Sequence, residues 1–134
     1  MKKTEIQIER DFYQFIKDSD LGAALRGTVY RSEMRPADAT DEDLVVKFLA
    51  GTDEQIQRGT VVLNLYVPDI DYTDGRKVAD KKRIGELQEL ILDFVETCDD
   101  NDYLIELDGT PYSTINTDIE QHLIVTRLKF QRIS

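Results

Sequence analysis

The chain holds one cysteine, Cys98, one histidine, His122, and no tryptophan. A lone thiol excludes any disulfide within the chain, and nothing in the cysteine usage points to secretion. Gly 7 and Pro 3 leave no low-complexity stretch, and no apolar run approaches the ~20 residues that a membrane-spanning helix needs. The start carries Glu5, Gln7, Glu9 and Arg10, where a signal peptide needs an unbroken apolar segment. The expectation is a soluble, cytoplasmic product. Positive charge is also scarce: 17 Lys and Arg stand against 27 Asp and Glu, for a formal net charge of -10. Such a surface repels phosphate backbones and anionic lipid heads, which argues against ordinary nucleic-acid binding and against a membrane role. It leaves room for a wall past which DNA slides without sticking.

What is present suits one folded domain. The 134 residues, 40% hydrophobic and 33% charged, are enough for a single core, and no repeat or linker divides residues 1–134. Thr4 and Gln7 have capping-box spacing, and Ile8, Phe12, Phe15 and Ile16 then fall on one helical face. Ser19 or Asp20 can cap a second short helical piece reaching Leu25, with Gly27 placed to end it in a left-handed conformation. Residues 28–32 and 44–49 read as strands, separated by a loop over 34–43 that contains Pro36 and a run of small and acidic residues. After a polar link over 51–59 comes the clearest strand, 60–67. Val61, Leu63, Leu65 and Val67 line one side, while Val62 and Tyr66 keep the other largely apolar around Asn64. A strand apolar on both faces is usually central and covered twice, by a helix or by a neighbouring subunit.

A second long connection covers 68–79, and a helix begins near Asp80. Its stripe is Ile84, Leu87, Ile91, Phe94 and Cys98, widened by Leu90 and Val95, with Glu86, Glu89, Asp93 and Glu96 mostly outside it. Burying four of these side chains is worth about 2 kcal/mol each, which does not offset the backbone entropy of ordering such a helix, so it must lie across the sheet. Residues 103–107 and 122–132 complete the set, joined through a turn at Asp108-Gly109, with Ile124, Leu128 and Phe130 facing in and Arg127, Lys129 and Gln131 out. The predicted fold is α+β: an antiparallel or mixed sheet of about five strands, one long helix packed across it, and an N-terminal helix.

Chemistry is hard to find in the residues. His122 opens an alternating strand with no cysteine or second histidine near it, so a strand residue is the better reading than a ligand or base. Cys98 continues an apolar stripe, where a thiol behaves as a small hydrophobe. Asp69, Asp71, Asp74, Gly75 and Asp80 superficially resemble a calcium loop, but that loop needs Gly at its sixth position and Glu at its twelfth, where Asp74 and Asp80 stand. Asp99, Asp100 and Asp102 follow the helix and read as an exposed turn. Nothing pairs Glu106 with Glu120 as acid and base, and phosphate loops and nucleophile elbows are absent. No catalytic, cofactor or metal residue is assigned, and no cofactor is expected. The cluster Arg76, Lys77, Lys81, Lys82 and Arg83 is the one patch against the overall sign, a solvated face or a contact for an acidic partner.

The opening helix, Val29-Tyr30 followed by Arg35-Pro36, the strand from Gly59 to Val67, the long helix, and the final run Gln121-His122-Leu123-Ile124-Val125-Thr126-Arg127-Leu128-Lys129-Phe130 together resemble the small tail-completion or tail-terminator proteins of long-tailed bacteriophages and prophages. The resemblance covers most of the chain and carries no active-site motif. It implies a structural α+β subunit, not an enzyme, that forms a ring, commonly a hexamer, at the head-proximal end of the tail tube and stops its growth. Its partners would be copies of itself, the tail-tube protein and head-tail connector proteins, with DNA only as passing cargo. It would reside in the virion, and in the bacterial cytoplasm during assembly. Interface candidates lie on the two connections: Arg35, Pro36, Asp69, Asp71, Tyr72, Asp74, Arg76 and Lys77. Net charge would oppose the association of copies, so assembly is expected to improve as salt screens it. Two other classes stay open: an acidic binding module or DNA-mimicking inhibitor, and an enzyme with a site built from scattered acids.

Overall fold

The Thr4 side chain accepts a hydrogen bond from the Gln7 backbone while the Gln7 side chain accepts one from the Thr4 backbone, and this reciprocal cap starts α1 (Glu5–Lys17). In the computed structural model, which describes residues 2–52, 54–98, 100, 102–116 and 119–133, α1 buries Ile8, Phe12 and Ile16. Ser19 caps α2 (Asp20–Ala24), which ends at Leu25 with extended backbone. Gly27 is therefore not a left-handed terminator, and it has no positive φ. Its need is for space: a Cβ there would lie 2.2 Å from Asp43 Oδ1 and 2.5 Å from the Glu42 carbonyl oxygen.

The main sheet has six strands, one more than the sequence suggests, in the order β1 (Val29–Arg31), β2 (Leu44–Gly51), β3 (Ile56–Pro68), β8 (Gln121–Ile133), β6 (Leu104–Leu107). The sixth, β7 (Tyr112–Asn116), shares the outer edge of β8 with β6: β7 pairs residues 121–125 and β6 pairs residues 128–131. Among the described strands only β1 and β2 run parallel. A separate hairpin, β4 (Ile70–Asp71) and β5 (Lys77–Val78), precedes α3 (Lys81–Thr97).

Period-two alternation sorts the sheet into two faces. Val46, Leu63, Val61, Leu65, Ile124 and Leu128 are fully buried on one of them, and α1 and α3 lie on that side, where Ile84, Leu87, Ile91 and Phe94 join the same core. Phe12, Phe15, Tyr103 and Phe130 pack in it at centroid distances of 5.4 to 5.9 Å, edge to face except for the tilted pair Phe12 and Phe130. Cys98 caps α3 and packs against this core. Asp100 and Asp102 form a turn through the Asp102 N–H and the Asp100 carboxylate at 2.8 Å, while Asp99 falls outside the described residues. Among the described residues no helix is long and apolar enough to cross a membrane.

Candidate functional site

The connection over 34–43 is not simply exposed. Glu42 and Asp43 end it at 3% and 2% relative exposure, because each carboxylate meets a guanidinium, Glu42 that of Arg83 on α3 and Asp43 that of Arg35 in the same connection. Arg83 of α3 grips Glu42 with two bonds, Nε to Oε2 at 2.8 Å and Nη2 to Oε1 at 2.7 Å, and donates a third to the Ala24 carbonyl at 2.7 Å. The hydrogen bond to Glu42 raises the proton affinity of Arg83 further above its already high value. Arg35 meets Asp43 at 2.9 Å, and its guanidinium carbon sits over the Tyr66 ring, 3.8 Å from its centroid. It also donates to the Ala39 and Asp41 carbonyls and to Gln121 Oε1. Arg35 is thus a clamp holding its loop onto the sheet, with Pro36 exposed in a turn closed by the Ala39 N–H.

The connection over 68–79 is built differently. Asp69 is tied to the start of β8 through His122 Nδ1 at 2.6 Å and through its own N–H to the Glu120 carbonyl at 3.0 Å. Beyond it the hairpin stands in solvent with Ile70 and Tyr72 exposed. Its ion pairs are internal: Lys77 to Asp71 at 2.8 Å and Arg76 to Asp74 at 2.6 Å, with Arg76 also over the Tyr72 ring. The Asp71 carboxylate raises the Lys77 ammonium above its usual pKa. Gly75 supplies a φ of 88 at the tip, where only glycine is unstrained. The two connections therefore meet at one end of β8, joined through the neighbours Gln121 and His122. The basic cluster divides: Arg76 and Lys77 sit on the hairpin, Lys81 and Lys82 are exposed at the start of α3, and Arg83 is turned inward.

Among the described residues the second face of the sheet carries no helix. Across it run Tyr30, Val45, Asn64, Val125 and Tyr112 in one row, and Lys47, Val62 and Arg127 in the next. Val45, Val62 and Val125 are only half-buried, and Arg35 with its loop covers just the end at Tyr66. The predicted second cover for β3 is thus supplied only in part by the chain itself. Four basic residues, Lys47, Arg58, Arg127 and Lys129, stand exposed on this face. Three acids answer them at longer range: Glu54 to Arg58 at 3.8 Å, Asp108 to Arg127 at 3.7 Å and Glu106 to Lys129 at 3.8 Å. A shallow cavity of about 540 Å³ lies between Arg58, Thr60, Glu106, Lys129 and Gln131.

His122 and Asp69 form half of an acid-base arrangement beside a cleft that also exposes Ser113 and Gln88. Among the described residues no hydroxyl or thiol bonds to the ring, and the pair's evident work is to fasten the hairpin to β8. No group of three His, Cys, Asp or Glu side chains converges among them as a metal centre requires.

Sequence reasoning missed Glu42, Asp43 and Gln121, because polar residues next to an apolar strand look like ordinary turn residues until their partners are known. The fold class these strands and helices define is α+β. No protein-family model matches the chain, and no curated protein matches it.

Proposed function

We propose that the protein is a structural assembly subunit of a long-tailed bacteriophage or prophage, forming a ring that completes the tail tube at the head-tail junction. The observation that carries the reading is the helix-free face of the sheet, where Val45, Val62 and Val125 stay half-buried. A projecting hairpin with exposed Ile70 and Tyr72 adds a second contact element, clamped at its base to β8. The sequence resemblance supplies the biological setting, and the acidity of the rest of the surface suits a passage for DNA. Net charge repels like copies, so assembly strengthens as moderate salt screens it.

Electron microscopy of growing tail tubes with and without the protein tests this. Rings at one tube end and arrested elongation are expected. Tubes that lengthen unchanged, with the protein absent from both ends, would refute it.

The exposed acids of α3, Glu86, Glu89, Asp93 and Glu96, favour a second reading as an acidic inhibitor that occupies a basic groove. Recovery of a nuclease in a defined binding assay, with loss of its DNA cleavage, distinguishes that reading.

A further inference from the structure

The exposed side of α3 bears Glu86, Glu89, Asp93 and Glu96, spaced three and four residues apart, with Leu92 45% exposed among them. At 1.5 Å rise per residue this stripe is about 15 Å long. The open sheet face offers the reverse pattern: half-buried valines at its centre, with Lys47, Arg58, Arg127 and Lys129 around them. Lys47 and Arg127 flank Val62 on strands separated by β3, which sets their backbones about 10 Å apart. In a chain of net charge -10, the basic residues exposed on this face still outnumber the acids that pair with them, Glu54, Glu106 and Asp108, and Lys47 has none of these beside it. The patches also match in character, each with apolar surface inside a charged frame.

We infer that the open sheet face of one copy receives the acidic face of α3 from the next copy. This rests on the assembly reading above and names the contact that would build it. The geometry sets the consequence. Helix α3 packs on one face of the sheet, so its exposed side points away from the other, and the two complementary patches lie on opposite sides of the molecule. A contact between them is heterologous and cannot close as a twofold dimer. It propagates head to tail until rotation closes a ring or a filament results. Opposite-charge framing also disfavours the alternatives in which two sheet faces or two α3 faces meet.

The test is a charge swap read by sedimentation velocity at ~0.15 M salt, where exposed charges further apart than about 8 Å are largely screened. One variant carries Lys47→Glu, Arg127→Glu and Lys129→Glu; the other carries Glu89→Lys, Asp93→Lys and Glu96→Lys. All six positions are exposed, and thermal melts check that both variants fold. Each variant alone should need about a hundredfold higher concentration to associate than the wild type. An equal mixture should associate again, because each reversed patch then finds its complement on the other variant. If the wild type associates and both variants do so equally well, the named contact is wrong while the assembly reading stands. A wild type that remains monomeric, alone and with tail-tube protein, overturns both. If the wild type is monomeric alone but the sheet variant specifically loses binding to the tube protein or to duplex DNA, the face serves a different occupant and the self-contact is refuted.

Discussion

Gln121 and His122 are adjacent in sequence and hold opposite faces of β8. The Gln121 side chain, 1% exposed, donates to the Thr40 and Asp41 carbonyls and accepts from Arg35, so it secures the loop over 34–43. His122 turns the other way and secures the hairpin through Asp69. Because a strand alternates its side chains, two consecutive residues can pin two distant connections to one end of the sheet.

Gln121→Ala should lower stability by about 1 to 3 kcal/mol, since three part-buried hydrogen bonds are lost together, two to the Thr40 and Asp41 carbonyls and one from Arg35. His122→Ala should act locally instead, speeding amide exchange over 70–78 with a much smaller change in global unfolding. Denaturant melts and hydrogen exchange separate the two, and equal effects of both variants on both readouts would contradict the division of labour.

The Glu42 and Arg83 pair joins the loop to α3 across 41 positions of sequence. Glu42→Gln removes the buried charge partner of the guanidinium, 12% exposed, and leaves it only the half-exposed Glu86 at 3.3 Å, so the cost should approach, without exceeding, the roughly 3 to 5 kcal/mol of breaking a fully buried pair. Replacing both partners together, Glu42→Leu with Arg83→Met, should cost clearly less than the single change, because no charge is then stranded. A double variant less stable than Glu42→Gln would show that the pair itself, not the avoidance of an orphaned charge, holds the loop.

These pairs also mark where the sequence stops being readable. α1, β3 and α3 are legible because their apolar residues repeat with a period set by local geometry: the box at Thr4 and Gln7, the alternation from Val61 to Val67, the stripe from Ile84 to Phe94. β7 is not, since Tyr112, Ser113, Thr114 and Ile115 all face solvent on an edge and leave no burial pattern to detect. Nor are the roles of Arg35, Glu42 and Asp43, whose partners are set by the fold and not by spacing. Gly27 was open to misreading for the same reason: its constraint is the Asp43 carboxylate brought alongside from 16 residues later, not a turn of its own. The open face is half-legible. Val62 and Tyr66 announce that β3 is apolar on both sides, but only the structure shows Lys47, Arg127 and Lys129 sharing that side.

Thr126 is fully buried on the core face opposite Leu63, and among the described residues its hydroxyl has no hydrogen-bond partner. Thr126→Val keeps the shape and β-branching while removing the stranded hydroxyl, so stability should rise by about 1 kcal/mol or more. Thermal and denaturant melts decide it, and a loss of stability would mean that the hydroxyl is satisfied in solution.

Burial is the main reason that the Tyr103 hydroxyl keeps its proton well above the usual tyrosine range, with its 2.8 Å bond to the Asp11 carboxylate adding to it. In the unfolded chain the same group ionises near pH 10. The unfolded state thus holds fewer protons than the folded one above that pH. Tyr103's contribution is fully present below about pH 10 and declines as pH rises beyond it. Ultraviolet titration of the 6 tyrosines should show one that ionises only as the protein unfolds, and Tyr103→Phe should flatten the alkaline loss of stability. An unchanged alkaline limb in that variant would assign the loss to another group.

The central claim is that this protein works through contacts between its exposed surfaces and other subunits. Native mass spectrometry across a concentration series, alone and with tail-tube protein, measures that directly. The account predicts one discrete multi-copy species, made dominant by the tube protein and abolished by the triple charge reversal on the sheet face. A monomer at every concentration, unaltered by the tube protein, would contradict it.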